Sequence, residues 1–524
     1  MGELLDGELA TALAQARQAM QAGDVSAALH AYHQASLLAP QSVHVRLDLA
    51  VAFLAAKDPE EALGQAEMAA FHAESENDAG SWRISLVRGM AHRQLGRVDQ
   101  AFADFHMALA APALPDDSRQ SLLQQCADIQ LNAFGNARAA ACLKRESAIN
   151  KKPGLLLQAE LAEVVADLYE GGRGAQEITD AFVSLGARFK RQINGQVPAE
   201  TPRKGQRIRP RIGLISQQFC ASPVGFLTLG VFRELSRHAD LVFFDRGSKP
   251  DWAHAAYQSM ARHWLPCAGF SAAQLLRLLA AADLDALIDL SGWTDAEALC
   301  AVATKPIRRQ LKWVGGQAAT TGLQCFDGMI TDARQVPDAA RALYTEPLLR
   351  AKHGYVTYQA PPYRPALAQA AACPPDPRGR PARGVYALVS HPAKISTDTV
   401  QRIQALKPKR LLLIDHRWRH QGTKLGAGAR LGTLLDVAEF VTPSDHPAYL
   451  DALADLDAAF IDTSPYAMGL TAIELRLLGK HILTINRSPV ALMCQRHAIA
   501  HLGARRFDHH GELASDLLQW CRAA

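Results

Sequence analysis

The sequence predicts an α + α/β protein: an N-terminal all-α helical-repeat domain followed by a pair of Rossmann-like α/β domains. Three observations predict it. Small residues recur at a near-constant step through the first 150 residues, each five positions after a turn-forming dipeptide. Beyond residue 207 the pattern becomes short apolar runs alternating with longer amphipathic segments, the signature of parallel sheets wrapped by helices. That series occurs twice, on either side of a proline-rich stretch at 361–383.

The repeat is read as follows. Gly23-Asp24 precedes Ala28-Leu29, Lys57-Asp58 precedes Ala62-Leu63, Gly96-Arg97 precedes Ala101-Phe102, and Gly135-Asn136 precedes Ala140-Ala141. Ala28 and Ala62 are 34 residues apart, and the next two steps are 39 each. Thirty-four is the tetratricopeptide (TPR) period, in which small residues let two antiparallel helices approach closely. Tyr32, Ala35 and Pro40, then Phe105 and Ala108, keep the same helical-face spacing. Residues 1–150 are therefore assigned to TPR-like helical repeats. Helical periodicity persists in Leu155 to Tyr169 and Ile178 to Ile193, and the basic, proline-containing stretch Val197 to Pro210 follows. Residues 151–206 are assigned to a helical connector and linker.

Strands are expected at Ile212 to Ser216, Leu241 to Phe244, Ala286 to Leu290 and Gln310 to Val314, making residues 207–360 the first α/β half. After the linker 361–383, a second half over 384–524 has strands at Val385 to Val389, Arg410 to Ile414, Ala458 to Ile461 and His481 to Ile485. Two doubly wound halves joined by a linker leave a cleft between them, and ligands in open α/β sheets bind outside the carboxyl ends of the strands.

Two loops at such strand ends carry candidate binding residues. Asp462-Thr463-Ser464-Pro465-Tyr466 ends an apolar run and leads into a helix bearing Thr471 and Glu474. The start of that helix offers unpaired N–H groups to a phosphate, and Glu474 is placed to accept hydrogen bonds from a ribose. Lys394, in Ser390-His391-Pro392-Ala393-Lys394-Ile395, follows the run Val385 to Val389 and can act as a point charge for a diphosphate. Taken singly, each also reads as an ordinary strand-turn-helix with a surface Glu and a solvated Lys.

In series, these blocks resemble the donor-binding half of the bacterial tetratricopeptide-repeat protein O-GlcNAc transferase-like glycosyltransferases. The matching blocks are Pro392-Ala393-Lys394-Ile395, Thr442-Pro443-Ser444, and Ile461 to Tyr466 followed by Thr471, Glu474 and Gly479. Upstream, Arg211 to Ser216 with Phe219 and Pro223-Val224-Gly225-Phe226, then Asp289-Leu290-Ser291-Gly292-Trp293-Thr294, Lys305-Pro306, Trp313-Val314-Gly315, Asp327 to Asp332, Tyr344-Thr345-Glu346 and His353-Gly354 follow in family order. The resemblance spans roughly residues 207 to 510. It implies a GT-B fold and an inverting glycosyltransferase moving GlcNAc or a related hexose from a UDP-sugar to Ser or Thr of a polypeptide acceptor held by the repeats, a surface or flagellar protein being one such acceptor. It implies no cofactor and no obligatory metal, with Lys394, Asp462, Thr463, Pro465, Tyr466, Thr471 and Glu474 on the donor and Pro223, Gly225, Gly292 and Trp293 in the acceptor-side loops.

The chain departs from the family at two positions, with Ser222 and Trp293 where histidines are usual, and Met468, Gly469 and Leu470 thin the polar turn. An unactivated serine is a poor base and tryptophan is none. The candidate catalytic residues are thus His353, His391 and Ser222, with the donor phosphate as another proton acceptor. The same departures keep open a catalytically impaired relative serving as a protein-binding adaptor; a glycosyltransferase on a non-protein acceptor also remains open.

Composition restricts the classes further. The chain of 524 residues, 48% hydrophobic and 21% charged, has a formal net charge of only +4, which gives no case for nucleic acid. No apolar run is long enough for a membrane segment and the N-terminus lacks a signal pattern, so a cytoplasmic protein is expected. Nine cysteines without a C-x-x-C pair read as buried thiols, and His497, His501, His509 and His510 read as surface or helix-terminal residues without ligand spacing for a metal.

Overall fold

The computed structural model describes residues 2–73, 81–148, 153–192, 207–377 and 381–523. They form two compact units: one runs to Leu155 and includes His420–Gly426, and the other comprises Leu156–Arg419 and Ala427–Ala524.

The first unit is built of helix pairs: Gly2–Ala22 with Val25–Leu38, Val43–Ala55 with Pro59–Ala73, Ser81–Gln94 with Val98–Ala110, and Asp116–Asn132 with Ala137–Ser147. The four repeated dipeptides are the turns inside these pairs. Gly23, Lys57, Gly96 and Gly135 all have positive φ, which reverses the chain. The next residue starts the second helix: Asp24 accepts from Ala27 N, Asp58 from Glu61 N and Asn136 from Ala139 N, while Arg97 makes no side-chain cap. The repeated alanines Ala28, Ala62, Ala101 and Ala140 are all at most 2% exposed, at the close approach of helices. The short helix Gln421–Leu425 belongs to this unit: Asp99 accepts from the N–H groups of Gln421 and Gly422, and Thr423 donates to Ala133 O.

The second unit holds two parallel sheets. The first has seven strands, β1 Arg211–Ser216, β2 Asp240–Asp245, β3 His263–Pro266, β4 Ala286–Asp289, β5 Gln310–Lys312, β6 Gly328–Thr331 and β7 Leu348–Arg350, ordered β3-β2-β1-β4-β5-β6-β7. The second has five, β8 Val385–Val389, β9 Arg410–Ile414, β10 Ala438–Val441, β11 Ala459–Ile461 and β12 Ile482–Leu483, ordered β10-β9-β8-β11-β12. Both orders reverse direction after their first strand, at β1/β4 and at β8/β11, and a crevice opens at such switch points. Among the described residues the strands absent from the sequence expectation are β3, β6, β7 and β10. β3 reads His-Trp-Leu-Pro and lies at a sheet edge with exposed ends, so it lacks the continuous apolar run of a doubly covered strand.

The helices Pro153–Glu170 and Ala175–Gln192 pack on the first sheet, where Leu157, Leu168, Phe182 and Phe189 share one apolar core with Ile215, Leu287 and Trp293. The C-terminal helix His510–Arg522 also returns to the first half, packing against the helix Pro223–Leu235. Of the expected linkers, residues 151–152, 193–206 and 378–380 lie outside the described residues. Seven of the nine free cysteines are buried, whereas Cys142 and Cys373 are exposed, which corrects the uniform burial expected for the thiols. Among the described residues no helix is long and apolar enough to cross a membrane.

Candidate functional site

A cleft of about 640 Å³ lies between the carboxyl ends of the two sheets. On the second-sheet side its wall begins with the loop after β8. His391 caps the short turn Pro392–Lys394 by accepting from Ala393 N at 3.2 Å, and the turn delivers Lys394 into the cleft. The Lys394 ammonium stands 4.2 Å from the centre of the Tyr466 ring, a cation–π contact that partly replaces its lost hydration. Burial nonetheless lowers its pKa to about 8, against the opposing pull of Cys494, Asp462 and Asp415. Tyr169, near the end of the helix Pro153–Glu170, stacks on His391 and packs against Tyr466, closing the back of this loop.

The turn after β11 is assembled by buried polar groups. Asp462, fully buried, accepts from Met468 N at 2.9 Å and faces Arg487 at 3.4 Å. Arg487 in turn donates to Thr463 O and to Ser464 Oγ, and Thr463 Oγ1 donates to Tyr466 O at 2.6 Å. The Ser464–Pro465 peptide is cis. Asp462 and Thr463 thus shape the turn from within and are absent from the cleft lining, whereas Tyr466, Thr471 and Glu474 line it with Lys394. Glu474 is 1% exposed, and its Oε1 already accepts from His446 Nε2 at 2.9 Å and from Tyr358 OH at 3.4 Å. His446 itself lies flat on Phe226, with its Nδ1 2.7 Å from Tyr363 OH.

On the first-sheet side, Ser222 and Pro223 line the cleft with Gln218 and Val314 to Gln317. The Ser222 hydroxyl is occupied as a helix cap, accepting from Gly225 N at 3.2 Å and donating to Gln218 O at 3.1 Å. A Cβ at Gly225 would stand 2.0 Å from Cys220 O, so the tight entry to this helix requires glycine. Gly292 and Trp293 do not reach the cleft. Gly292 N donates to Asp289 under the loop, and Trp293 is held between Phe182 and Phe189 in the core. His353 is exposed and outside the lining, 6.5 Å from the ring of His509. His391 borders the cleft, but burial, Arg417 and Lys394 hold its imidazole well below the ordinary range.

Sequence reasoning missed three cleft histidines: His446, His497 and His501. The last two were expected as surface or helix-terminal residues; His501 does lie in the last turn of the helix Met493–Leu502, but it is buried and lines the cleft. His501 is 3% exposed and, by burial, lowered to about 4; His497 stacks beside it at 5.9 Å and faces the cleft. Their spacing of four on the helix Met493–Leu502 was the available signal, since it places both on one face. His509 is also buried, its Nε2 3.0 Å from Gly354 O. Among the described residues no three His, Cys, Asp or Glu side chains group as a metal site would.

The assembled site offers an anion one cation at Lys394, the start of the helix Leu470–Leu477, and several neutral hydrogen-bonding side chains. Comparison with known proteins accords with this fold. Residues 19–71 match a tetratricopeptide-repeat family model. The chain is 28% identical over 163 residues, 30% of its length, to the probable UDP-N-acetylglucosamine-peptide N-acetylglucosaminyltransferase SEC of Arabidopsis thaliana. It is 24% identical over 272 residues, 48% of its length, to the SPINDLY protein of the same name and plant. These matches span 16% and 28% of those relatives. A mutant of the Thermobaculum terrenum O-GlcNAc transferase superposes with a TM-score of 0.56 at 19% identity, covering 99% of this chain and 90% of that one. The chain therefore resembles the O-GlcNAc transferase-like glycosyltransferases in sequence and shares their architecture of helical repeats followed by a GT-B pair.

Proposed function

We propose that this chain is an inverting glycosyltransferase that moves a sugar from a UDP-sugar to a hydroxyl of a polypeptide, with the helical repeats recruiting the acceptor. The acceptor hydroxyl oxygen attacks the anomeric carbon, the bond from that carbon to the diphosphate oxygen breaks, UDP departs with the bonding electrons, and the hydroxyl proton passes to a diphosphate oxygen. Lys394 and the N–H groups at the start of the helix Leu470–Leu477 take up the charge that grows on the diphosphate. The observation that carries this reading is the position of Lys394: a partly desolvated ammonium at the switch point of the second sheet, over an aromatic ring and facing the cleft. Glu474 enters through its Oε1 as the group that orients His446 beside the nucleoside.

A second reading, an adaptor that binds a nucleotide sugar without transferring it, draws support from the candidate bases. Ser222 is committed to capping, His391 is held neutral by its burial and cationic neighbours, and His353 is outside the cleft lining. One experiment separates the two: the purified chain is incubated with several UDP-sugars and lysate proteins, and products are read by intact mass while UDP binding is followed by calorimetry. Transfer supports the enzyme, binding without transfer or donor hydrolysis supports the adaptor, and no nucleotide binding overturns both.

A further inference from the structure

His497 is held in one tautomer by a relay that starts at a main-chain carbonyl. Gln335 is fully buried, and its Nε2 donates to Met493 O at 2.5 Å. A carbonyl only accepts, so this bond fixes which end of the amide carries hydrogens. The second hydrogen of the same nitrogen points to His497 Nδ1 at 3.0 Å, and Tyr355 OH stands 3.5 Å from that atom. Nδ1 is therefore the acceptor of the ring, and the ring proton resides on Nε2. Nε2 has no partner among the described residues, and the partly exposed ring borders the cleft. The other groups facing the imidazole are the stacked His501 ring, the Tyr466 ring at 6.1 Å, and the Lys394 ammonium, which together with burial keeps it uncharged.

We infer that His497 is a donor-contacting residue, a neutral Nε2–H group that hydrogen-bonds an oxygen of the bound nucleotide sugar beside Lys394 and Tyr466. This rests on the proposed reading of the cleft as a nucleotide-sugar site. A neutral donor suits the position because it adds a directed contact next to Lys394 without a second buried charge.

The test uses the full chain labelled with 15N-histidine, with UDP and UDP-GlcNAc as probes. The unliganded protein is expected to give a neutral Nε2–H signal for His497, unchanged between about pH 6 and 8, and ligand should shift it. In calorimetry, His497→Ala should weaken binding about tenfold, and His497→Gln, which keeps an N–H donor, should recover part of the loss. A loss with UDP itself assigns the contact to the UDP moiety, and a loss with UDP-GlcNAc alone assigns it to the sugar. Gln335→Glu, which offers Nδ1 an acceptor, should move the proton and make the signal pH-dependent. An Nδ1–H tautomer in the parent, or equal affinity of parent and His497→Ala for UDP-GlcNAc, overturns the inference and leaves the proposed function standing. A parent that binds neither probe overturns both.

Discussion

Thr399 and Ser464 exchange two hydrogen bonds across the loops that carry Lys394 and Tyr466: Ser464 N donates to Thr399 Oγ1 at 2.9 Å, and Thr399 Oγ1 donates to Ser464 O at 3.0 Å. Ser396, the cap of the same helix, donates a further short bond to Ser464 O. Residues 65 positions apart are thereby locked into one rigid rim, and the Lys394–Tyr466 contact depends on that register. Thr399→Val keeps the shape and removes both bonds, leaving a buried N–H without a partner. We expect a stability loss of about 2–3 kcal/mol by denaturant unfolding and weaker UDP binding by calorimetry. A folded variant with unchanged affinity would dissociate the rim from the site.

Lys394 should oppose stability and favour binding. Its pKa in the folded chain, about 8, lies below the ordinary lysine value, so folding disfavours the charged form. The sign follows: below about pH 8 the full cost of the buried charge is present, and between about 8 and 10.4 stability rises as the folded state sheds its proton first. Because the cleft partly solvates the ammonium, Lys394→Met is expected to stabilise the unliganded protein by only about 1–2 kcal/mol at neutral pH. The same substitution should weaken UDP binding by about 1.5–3 kcal/mol, and parental affinity should fall as pH rises through about 8. A Lys394→Met protein that is less stable and still binds UDP fully would remove Lys394 from the site.

The repeat turns offer a test free of the cleft. Lys57 holds φ at 61° where the equivalent positions in the other pairs are glycine, and a Cβ at Gly96 would meet nothing within 4 Å. Lys57→Gly should therefore stabilise, and Gly96→Ala destabilise, each by about 1 kcal/mol through backbone conformation alone. Thermal unfolding of the two variants checks this; shifts of the same sign would refute it.

These turns were legible in the sequence because turn, cap and small residue lie within six positions of one another. The loops of Lys394 and Tyr466 were legible for the same reason: strand, turn and helix start are contiguous. Roles set by distant partners were not. Gln335 fixes His497 from 162 residues away, and His446 engages Glu474 from the neighbouring helix, so no local window contains either pair. Trp293 looked like an acceptor-side residue, yet Phe182 and Phe189 cover it, from a helix about a hundred residues upstream whose packing on the sheet no pattern near Trp293 announces.

If transfer occurs, its rate should show no limb from His391, His497 or His501 between about pH 6 and 8. Burial and neighbouring cations hold His391 and His497 well below the usual imidazole range, and His501 sits at about 4, so none of the three changes charge in that window. The measurement is kcat against pH at saturating donor. A limb abolished by His446→Gln would instead assign proton transfer to His446.

Introducing a histidine at position 222 tests the loop from the acceptor side, at a known structural cost. Ser222 Oγ accepts from Gly225 N and caps the helix Pro223–Leu235. Ser222→His should therefore lose about 1 kcal/mol of stability while placing an imidazole at the cleft wall. In an active parent with a flat profile, the variant should gain a limb near the ordinary histidine value and a changed rate, because a titratable group then stands where Ser222 lines the cleft. Ser222→Ala separates the two effects, since it loses the cap without adding the base. If Ser222→His and Ser222→Ala change kcat alike and neither gains a pH limb, position 222 acts only through the helix cap, and the proton goes elsewhere.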